Sequence, residues 1–283
     1  MAALSHYAPK KLYVSVDGPK GAPDSTLVEE VRNIMSTPAW DGEVQKRFLA
    51  SNLGSGDAVT GALNWFFGQE RAGLVLEDDC IPSPDFFRFA NHILDRYEDN
   101  PRVWGVTGSN TAGVRFDGAY GFIRHSLTWG WATWADRWHQ HQWDAEQFLA
   151  DYPLAQSSVW PTAGHRFAFE RYLFSIARTG HPDAWDYQWA WTIMKNRGLW
   201  VVPNENLIAN VGFGPDSLNS HPKRFMRPAG YLKGPIEDPE VIRVDSPAEQ
   251  EILRTIYGVL TPYWLNTLKT AARQIRTQLR PGG

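Results

Sequence analysis

Leu74-Val75-Leu76-Glu77-Asp78-Asp79-Cys80-Ile81-Pro82 is the stretch on which the reading of this chain turns. Three apolar residues end in three consecutive carboxylates, and Pro82 prevents a simple continuation of the strand. A short apolar run bounded in this way predicts a buried strand of a mostly parallel sheet. The acids then stand at its carboxyl end, where open α/β sheets bind their ligands. Adjacent carboxylates repel one another, and a divalent cation relieves that repulsion. Carboxylate oxygens suit Mg²⁺ or Mn²⁺, which keep other positions free for water and substrate phosphates. The stretch therefore predicts a metal–phosphate site, set against the plainer alternative of a solvated acidic turn.

Working outward, Pro84-Asp85-Phe86-Phe87 opens a helix over residues 84–97. Phe86, Phe89, Ala90, Ile93, Leu94 and Tyr97 fall on its inner face at helical spacing. Upstream, residues 11–16 predict a strand ending in the turn signal Asp17-Gly18-Pro19, where Asp17 meets either a nucleotide or ordinary turn chemistry. A helix over 24–35, capped by Asp24 or Ser25, presents Leu27, Val31 and Ile34 on one face. A weaker strand follows over 44–50. Gly54-Ser55-Gly56-Asp57-Ala58-Val59-Thr60-Gly61 resembles a dinucleotide fingerprint, but its third glycine comes too late for that motif. It reads instead as the start of a helix near phosphates.

Strand and helix alternate up to a strand over 103–107 that runs into Gly108-Ser109-Asn110, which predicts a sheet covered by helices. Residues 116–138 carry many aromatics and little regular period, and read as the acceptor-facing half. Helices are expected over 165–177 and 187–197, and a strand over 199–203. Asp186, between Trp185 and Tyr187, is either an N-cap or a general base in a partly apolar cleft. Gly212-Phe213-Gly214 starts a polar loop through His221, Lys223 and Arg224 that folds over a diphosphate or is simply a loop.

The chain has 283 residues, enough for one large α/β domain or a domain with an appended lobe. A net charge of −3 and a pI near 6.2 exclude the basic excess of a general nucleic-acid binder. Cys80 is the single cysteine, so no intrachain disulfide forms. No apolar run reaches membrane-spanning length, and the N-terminus shows no signal-peptide pattern. The 14 tryptophans are read equally as platforms for pyranose rings and as core. Near the C-terminus Trp264, Leu265, Leu268, Ala272, Ile275 and Leu279 share one helical face, with Lys269, Arg273, Arg276 and Arg280 off it. That helix is expected to pack on its own domain, with peripheral contact at an anionic membrane face as the alternative.

Taken together, Glu77-Asp78-Asp79 with Pro84-Asp85-Phe86-Phe87, Val14-Ser15-Val16-Asp17, Trp129-Gly130-Trp131, Trp185-Asp186 and Phe213-Gly214 through Ser220-His221 resemble, in this order, a glycosyltransferase of the GT-A fold. The likeness is to the N-acetylglucosaminyltransferase I type and to bacterial nucleotide-diphospho-sugar transferases of that lineage. It spans residues 12–225. The resemblance implies a mostly parallel sheet flanked by helices and an inverting transfer from a nucleotide-diphospho-sugar, UDP-linked, to a glycan or lipid-linked acceptor hydroxyl. It implies Asp79 as the Mn²⁺ (or Mg²⁺) ligand and Asp186 as the catalytic base. Asp17, Glu77, Asp78, Asn110 and His221 fall on the nucleotide-sugar side, and Trp129, Trp131 and Trp185 on the acceptor side.

By the same resemblance residues 1–225 form the catalytic domain, with 1–110 as its donor half and 111–225 as its acceptor half and lid. Residues 226–283 form a helical extension. The implied setting is cytoplasmic, at or near the inner membrane face, in bacterial surface glycan synthesis. The likeness departs at Met1-Ala2-Ala3-Leu4-Ser5-His6-Tyr7, which matches the end of the family's first helix. This implies that the family's first strand is missing, and that a version extended upstream would be more soluble and more active. Two other classes compete: a carbohydrate-binding protein without catalysis, and a metal-dependent phosphoester or nucleotide-sugar hydrolase. Neither sugar, acceptor, linkage nor oligomeric state is written in the sequence.

Overall fold

A computed structural model describes residues 2–36, 41–141, 185–213 and 227–257. At its centre is a five-stranded sheet in the order β3-β7-β5-β8-β6. These strands are β3 (Ala72–Val75), β5 (Val103–Thr107), β6 (Tyr120–Ile123), β7 (Trp131–Trp134) and β8 (Leu199–Pro203). β5 pairs in parallel with β8, while β7 runs antiparallel to both β3 and β5, and β6 antiparallel to β8. The sheet is thus mixed, with β3, β5 and β8 sharing one direction. The two reversed strands both come from the aromatic segment 116–138, which sequence periodicity leaves irregular. All their residues are buried, so no polar alternation marks them as strands.

Alternation along the central strands sorts side chains onto two faces. On one face Val103, Val106, Tyr120, Phe122, Ala132, Trp134, Leu199 and Val201 meet α4 (Pro84–Tyr97). All six residues expected on the inner face of α4 are buried, as is Phe87. On the other face Trp104, Ile123, Trp131, Trp200 and Val202 meet Leu63 and Phe67 of α3 (Gly54–Phe67), and Trp138 at the end of α5 (Ala135–Trp138). Trp189 and Ile193 of α6 (Asp186–Lys195), with Ala248 and Ile252 of α7 (Ser246–Tyr257), complete this layer. Gly105 lies under the indole of Trp200: a Cβ there would come within 2.3 Å of the ring. Any side chain at that position would displace the indole from the layer.

β1 (Lys11–Val16) and β2 (Glu43–Phe48) form a separate parallel pair, covered by α2 (Ala22–Ser36). Among the described residues no strand joins this pair to the central sheet. Two expectations are corrected in this part of the molecule. α2 buries none of its residues: Leu27, Val31 and Ile34 are exposed, while Arg32 donates to the Leu49 carbonyl and lies over the Phe48 ring. β3, expected as a buried strand, is half-buried throughout because it is the edge of its sheet.

α1 (Ala2–Tyr7) lies on α4, with Tyr7 stacked on Phe87 at 4.0 Å between ring centres. Within 227–257, side chains bond to the body of the protein. Asp238 accepts hydrogen bonds from Arg96 (2.8 Å) and Tyr120 (2.7 Å) and pairs with His92. Arg124 binds the buried Glu249 of α7 through both its backbone N–H and its guanidinium. No helix among the described residues is long and apolar enough to cross a membrane. The helices expected over 165–177 and at the C-terminus lie outside the described residues.

Candidate active site

β3 stops at Val75, and Glu77, Asp78 and Asp79 occupy a turn that the Cys80 N–H closes on the Glu77 carbonyl (3.1 Å). The chain then forms β4 (Cys80–Pro82), which pairs antiparallel with β9 (Ile208–Asn210). Cys80 opposes Asn210 in this ladder, and the Val211 N–H donates to the Asp79 carbonyl at 2.8 Å. Asp79 therefore faces the start of the glycine-rich loop. Gly212 is pinned there by its N–H on Asn210 Oδ1 (2.8 Å). A Cβ on Gly212 would lie 2.3 Å from Asp79 Oδ2, so only glycine lets the backbone approach the carboxylate this closely. Phe213, the next residue, stands edge-on to the half-buried Trp129 with ring centres 5.3 Å apart.

Across the site, Trp185 is buried and Asp186 begins α6. Trp185 occupies the N-cap position without a side-chain cap, so Asp186 lies in the first turn, where its carboxylate favours the helix N-terminus. Asp186 and Glu77 are more than a hundred positions apart in sequence, yet they interact directly through their charges. Although part of Glu77 remains open, its carboxyl is packed closely enough that desolvation raises its pKa to about 8. The charges of Asp79, Asp186 and Asp78 push in the same direction, and a hydrogen bond from the Trp185 indole opposes them. The groups acting most strongly on Glu77 are thus anions, and a proton or a cation relieves them. Cys80, buried beside Asp79 with its thiol on Oδ1 (3.4 Å), is pushed far above the ordinary thiol range by burial first and then by the same carboxylates.

The structure brings Glu77, Asp78, Asp79 and Asp186 to one place, with Trp129 at its margin. It uses the other expected residues differently. Asp17 accepts from the Gly18 N–H (2.8 Å), the Leu53 N–H (2.9 Å), the Gly54 N–H (3.1 Å) and Asn52 Nδ2 (2.9 Å). Its carboxylate caps α3, and the helix start expected near phosphates is occupied by the protein's own anion. Asn110 is buried, with its amide nitrogen on the carbonyls of Val114, Pro203 and Asn204 and its amide oxygen on the Val114 N–H. It fastens the loop after β5 and presents no group to the acids. Trp131 is fully buried and Trp185 nearly so, and both belong to the indole layer rather than to an acceptor platform. His221 lies outside the described residues.

Sequence reading missed the contact of Gly212 with Asp79 and the bond from Trp185 to Glu77. The glycine was visible, but its neighbour becomes apparent only from the pairing of β4 with β9. Nothing in the Trp185-Asp186 dipeptide signals where the indole N–H points.

No protein-family model matches the chain, and no curated protein is significantly similar to it.

Proposed function

We propose that the chain is an inverting glycosyltransferase of the GT-A type. In this reading it moves a sugar from a nucleotide-diphospho-sugar to an acceptor hydroxyl in surface glycan synthesis. The observation that carries the proposal is the convergence of Asp186 with Glu77 and Asp79, on two elements remote in sequence, beside the loop that starts at Gly212.

The donor set suits a hard divalent cation. Oxygen ligands dominate, the neighbouring charges are negative, and the Gly212 backbone approaches Asp79 Oδ2 closely. Among the described residues no group of three or more His, Cys, Asp or Glu is arranged to hold a metal. That agrees with an ion held by Asp79 together with substrate phosphates rather than by a protein cage. When bound, such an ion offsets the charge that develops on a departing diphosphate.

Asp186 acts as the base. It takes the proton of the acceptor hydroxyl as that oxygen bonds to the anomeric carbon, while the bond from that carbon to the diphosphate oxygen breaks on the opposite side. In the metal-free protein, burial and the charges of Asp79, Asp186 and Asp78 favour the protonated form of Glu77.

A panel of nucleoside diphosphates and their sugars, with and without Mn²⁺, tests the proposal through the melting temperature. Selective stabilisation by one nucleotide-sugar that requires the cation is expected; no shift from any of them refutes the reading. Glycan binding without catalysis is a second reading, favoured by the internal use of Asp17 and Asn110. It requires a shift with a glycan alone that neither nucleotide nor metal alters.

A further inference from the structure

The acid turn has a counterpart of opposite sign on the same edge of the central sheet. β3, β5 and β8 share one direction, so the loops that follow β5 and β8 emerge at the edge where β3 delivers its acids. β7 lies between β3 and β5, a separation on the order of 10 Å at the usual strand spacing. Glu205, just after β8, is shared by two exposed cations: Arg115 Nη1 at 2.8 Å and Lys233 Nζ at 3.5 Å both meet its Oε1. A third cation, Arg227, lays its guanidinium on Gly113, where a Cβ would come within 2.5 Å of Nη1 and 2.6 Å of Nη2. Gly113 has a φ of +69°, a conformation that glycine adopts without strain. Among the described residues the Arg227 guanidinium has no ion-pair or hydrogen-bond partner.

Two buried asparagines hold this corner in place. Asn110 closes the loop around Gly113 by binding both the carbonyl and the N–H of Val114, and its own N–H donates to Asn206 Oδ1 at 2.8 Å. Asn206 Nδ2 in turn binds the carbonyls of Arg227 (3.3 Å) and Pro228 (3.1 Å). The backbones that carry Gly113 and Arg227 are thereby tied together, which fixes the root of the arginine while the residue stays exposed.

We propose that Arg227, with Arg115 and Lys233, binds an anionic group of the acceptor, a phosphate or a carboxylate. The inference rests on the transferase reading of the site. Three cations meet one carboxylate here, in a chain whose net charge is −3, and Asp117, the other acid of the loop, pairs with none of the three. A guanidinium offers paired N–H donors that match the oxygens of either group. The donor diphosphate belongs to the ion at Asp79, across β7, so this corner meets a different anion.

Calorimetry with inorganic pyrophosphate in EDTA tests the corner without catalysis. The wild type is expected to bind, and Arg227→Gln to weaken binding by about 10- to 100-fold, the loss of a hydrogen bond to a charged group. Glu205→Gln frees Arg115 and Lys233 and should tighten it. Arg254→Gln, on α7 and paired with Glu251, should leave it unchanged. No binding by the wild type overturns the proposal, as does an Arg227→Gln variant that binds as well or a Glu205→Gln variant that binds no tighter. An equal loss in Arg254→Gln also overturns it, since the effect would then be one of overall charge.

Transfer assays with nucleotide-diphospho-sugars and Mn²⁺ compare a glycan ending in a uronic acid, a sugar linked to a short polyprenyl diphosphate, and a neutral glycan. One anionic acceptor is expected to surpass the neutral one, with the uronic acid identifying a carboxylate and the polyprenyl diphosphate a phosphate. Arg227→Gln should raise the KM for that acceptor by about 10-fold or more, with donor KM unchanged. Equal use of all three acceptors, or a loss confined to donor KM, overturns the proposal. A wild-type protein that transfers nothing refutes the transferase reading instead, and the calorimetry still decides whether the corner holds an anion.

Discussion

Asp17 and Asp79 both follow a strand of the same strand–helix series, and they live in opposite surroundings. Asp17 receives four hydrogen bonds, three of them from backbone N–H groups at its own turn and at the start of α3. Among the described residues the Asp79 carboxylate receives one weak bond, from the Cys80 thiol, and its neighbours are other carboxyl groups. A carboxylate satisfied by fixed donors holds a fold together, whereas one left among its own kind is poised to hold something else. The sequence presents the two as equivalent candidates for a ligand; the hydrogen bonds separate them.

The contrast breaks most sharply on Asp79. Asp79→Ala is expected to remove metal-dependent donor binding and to lower transfer by at least about 10³-fold, the several kcal/mol that bound-cation stabilisation supplies. The urea midpoint should stay unchanged or rise as repulsion is relieved. Donor titration by calorimetry with Mn²⁺ checks this, and retained binding would return Asp79 to the class of Asp17. Asp186→Asn comes next, with donor binding intact and turnover reduced by about 10²- to 10⁴-fold. Normal turnover would remove the base from the reading.

Asp17→Ala should show the inverse pattern: a loss of stability of about 1–2 kcal/mol from the lost cap, with the metal dependence of donor binding retained. If donor binding collapses while the midpoint holds, Asp17 is a ligand after all.

The smallest effect is a pH dependence at Glu77. Its folded pKa of about 8 lies above the ordinary 4.5, so the native state holds a proton that the unfolded chain releases. The stability linked to this proton is complete below about pH 4.5 and is lost as pH rises towards 8. Glu77→Gln should therefore raise the melting temperature of the metal-free protein at pH 8, and the gain should vanish near pH 4.5. A gain equal at both values would show that the repulsion does not act through ionisation.

How much of this was legible depended on where the determining neighbour lay. α4 could be read residue by residue, since its apolar spacing reports burial against a single sheet face. β1, β2, β5 and β8 were also visible as short apolar or alternating runs. β6 and β7 were not, because each is only four residues long and lies among other aromatics and glycines, with no apolar run to set it off. α2 misled for the converse reason: Leu27, Val31 and Ile34 form an apolar stripe, but helical spacing cannot state whether anything covers it. At the site, the acids announced themselves by clustering. The roles of Asp17 and Asn110 depend on partners 35 to 94 positions away, and no local pattern encodes those.

The separation of the β1–β2 pair from the central sheet has a consequence for motion. Among the described residues between Lys11 and Phe48, none belongs to either apolar cluster, and Val14 is the one apolar side chain that is buried. The unit can therefore open while the layers around β5 and β8 stay shut. Its amides should exchange with deuterium at a much lower opening energy than those of Val106 or Val201. Because Asp17 closes this unit onto the first turn of α3, the same opening would release Leu53 and Gly54, and an anion binding at those freed amides would report it.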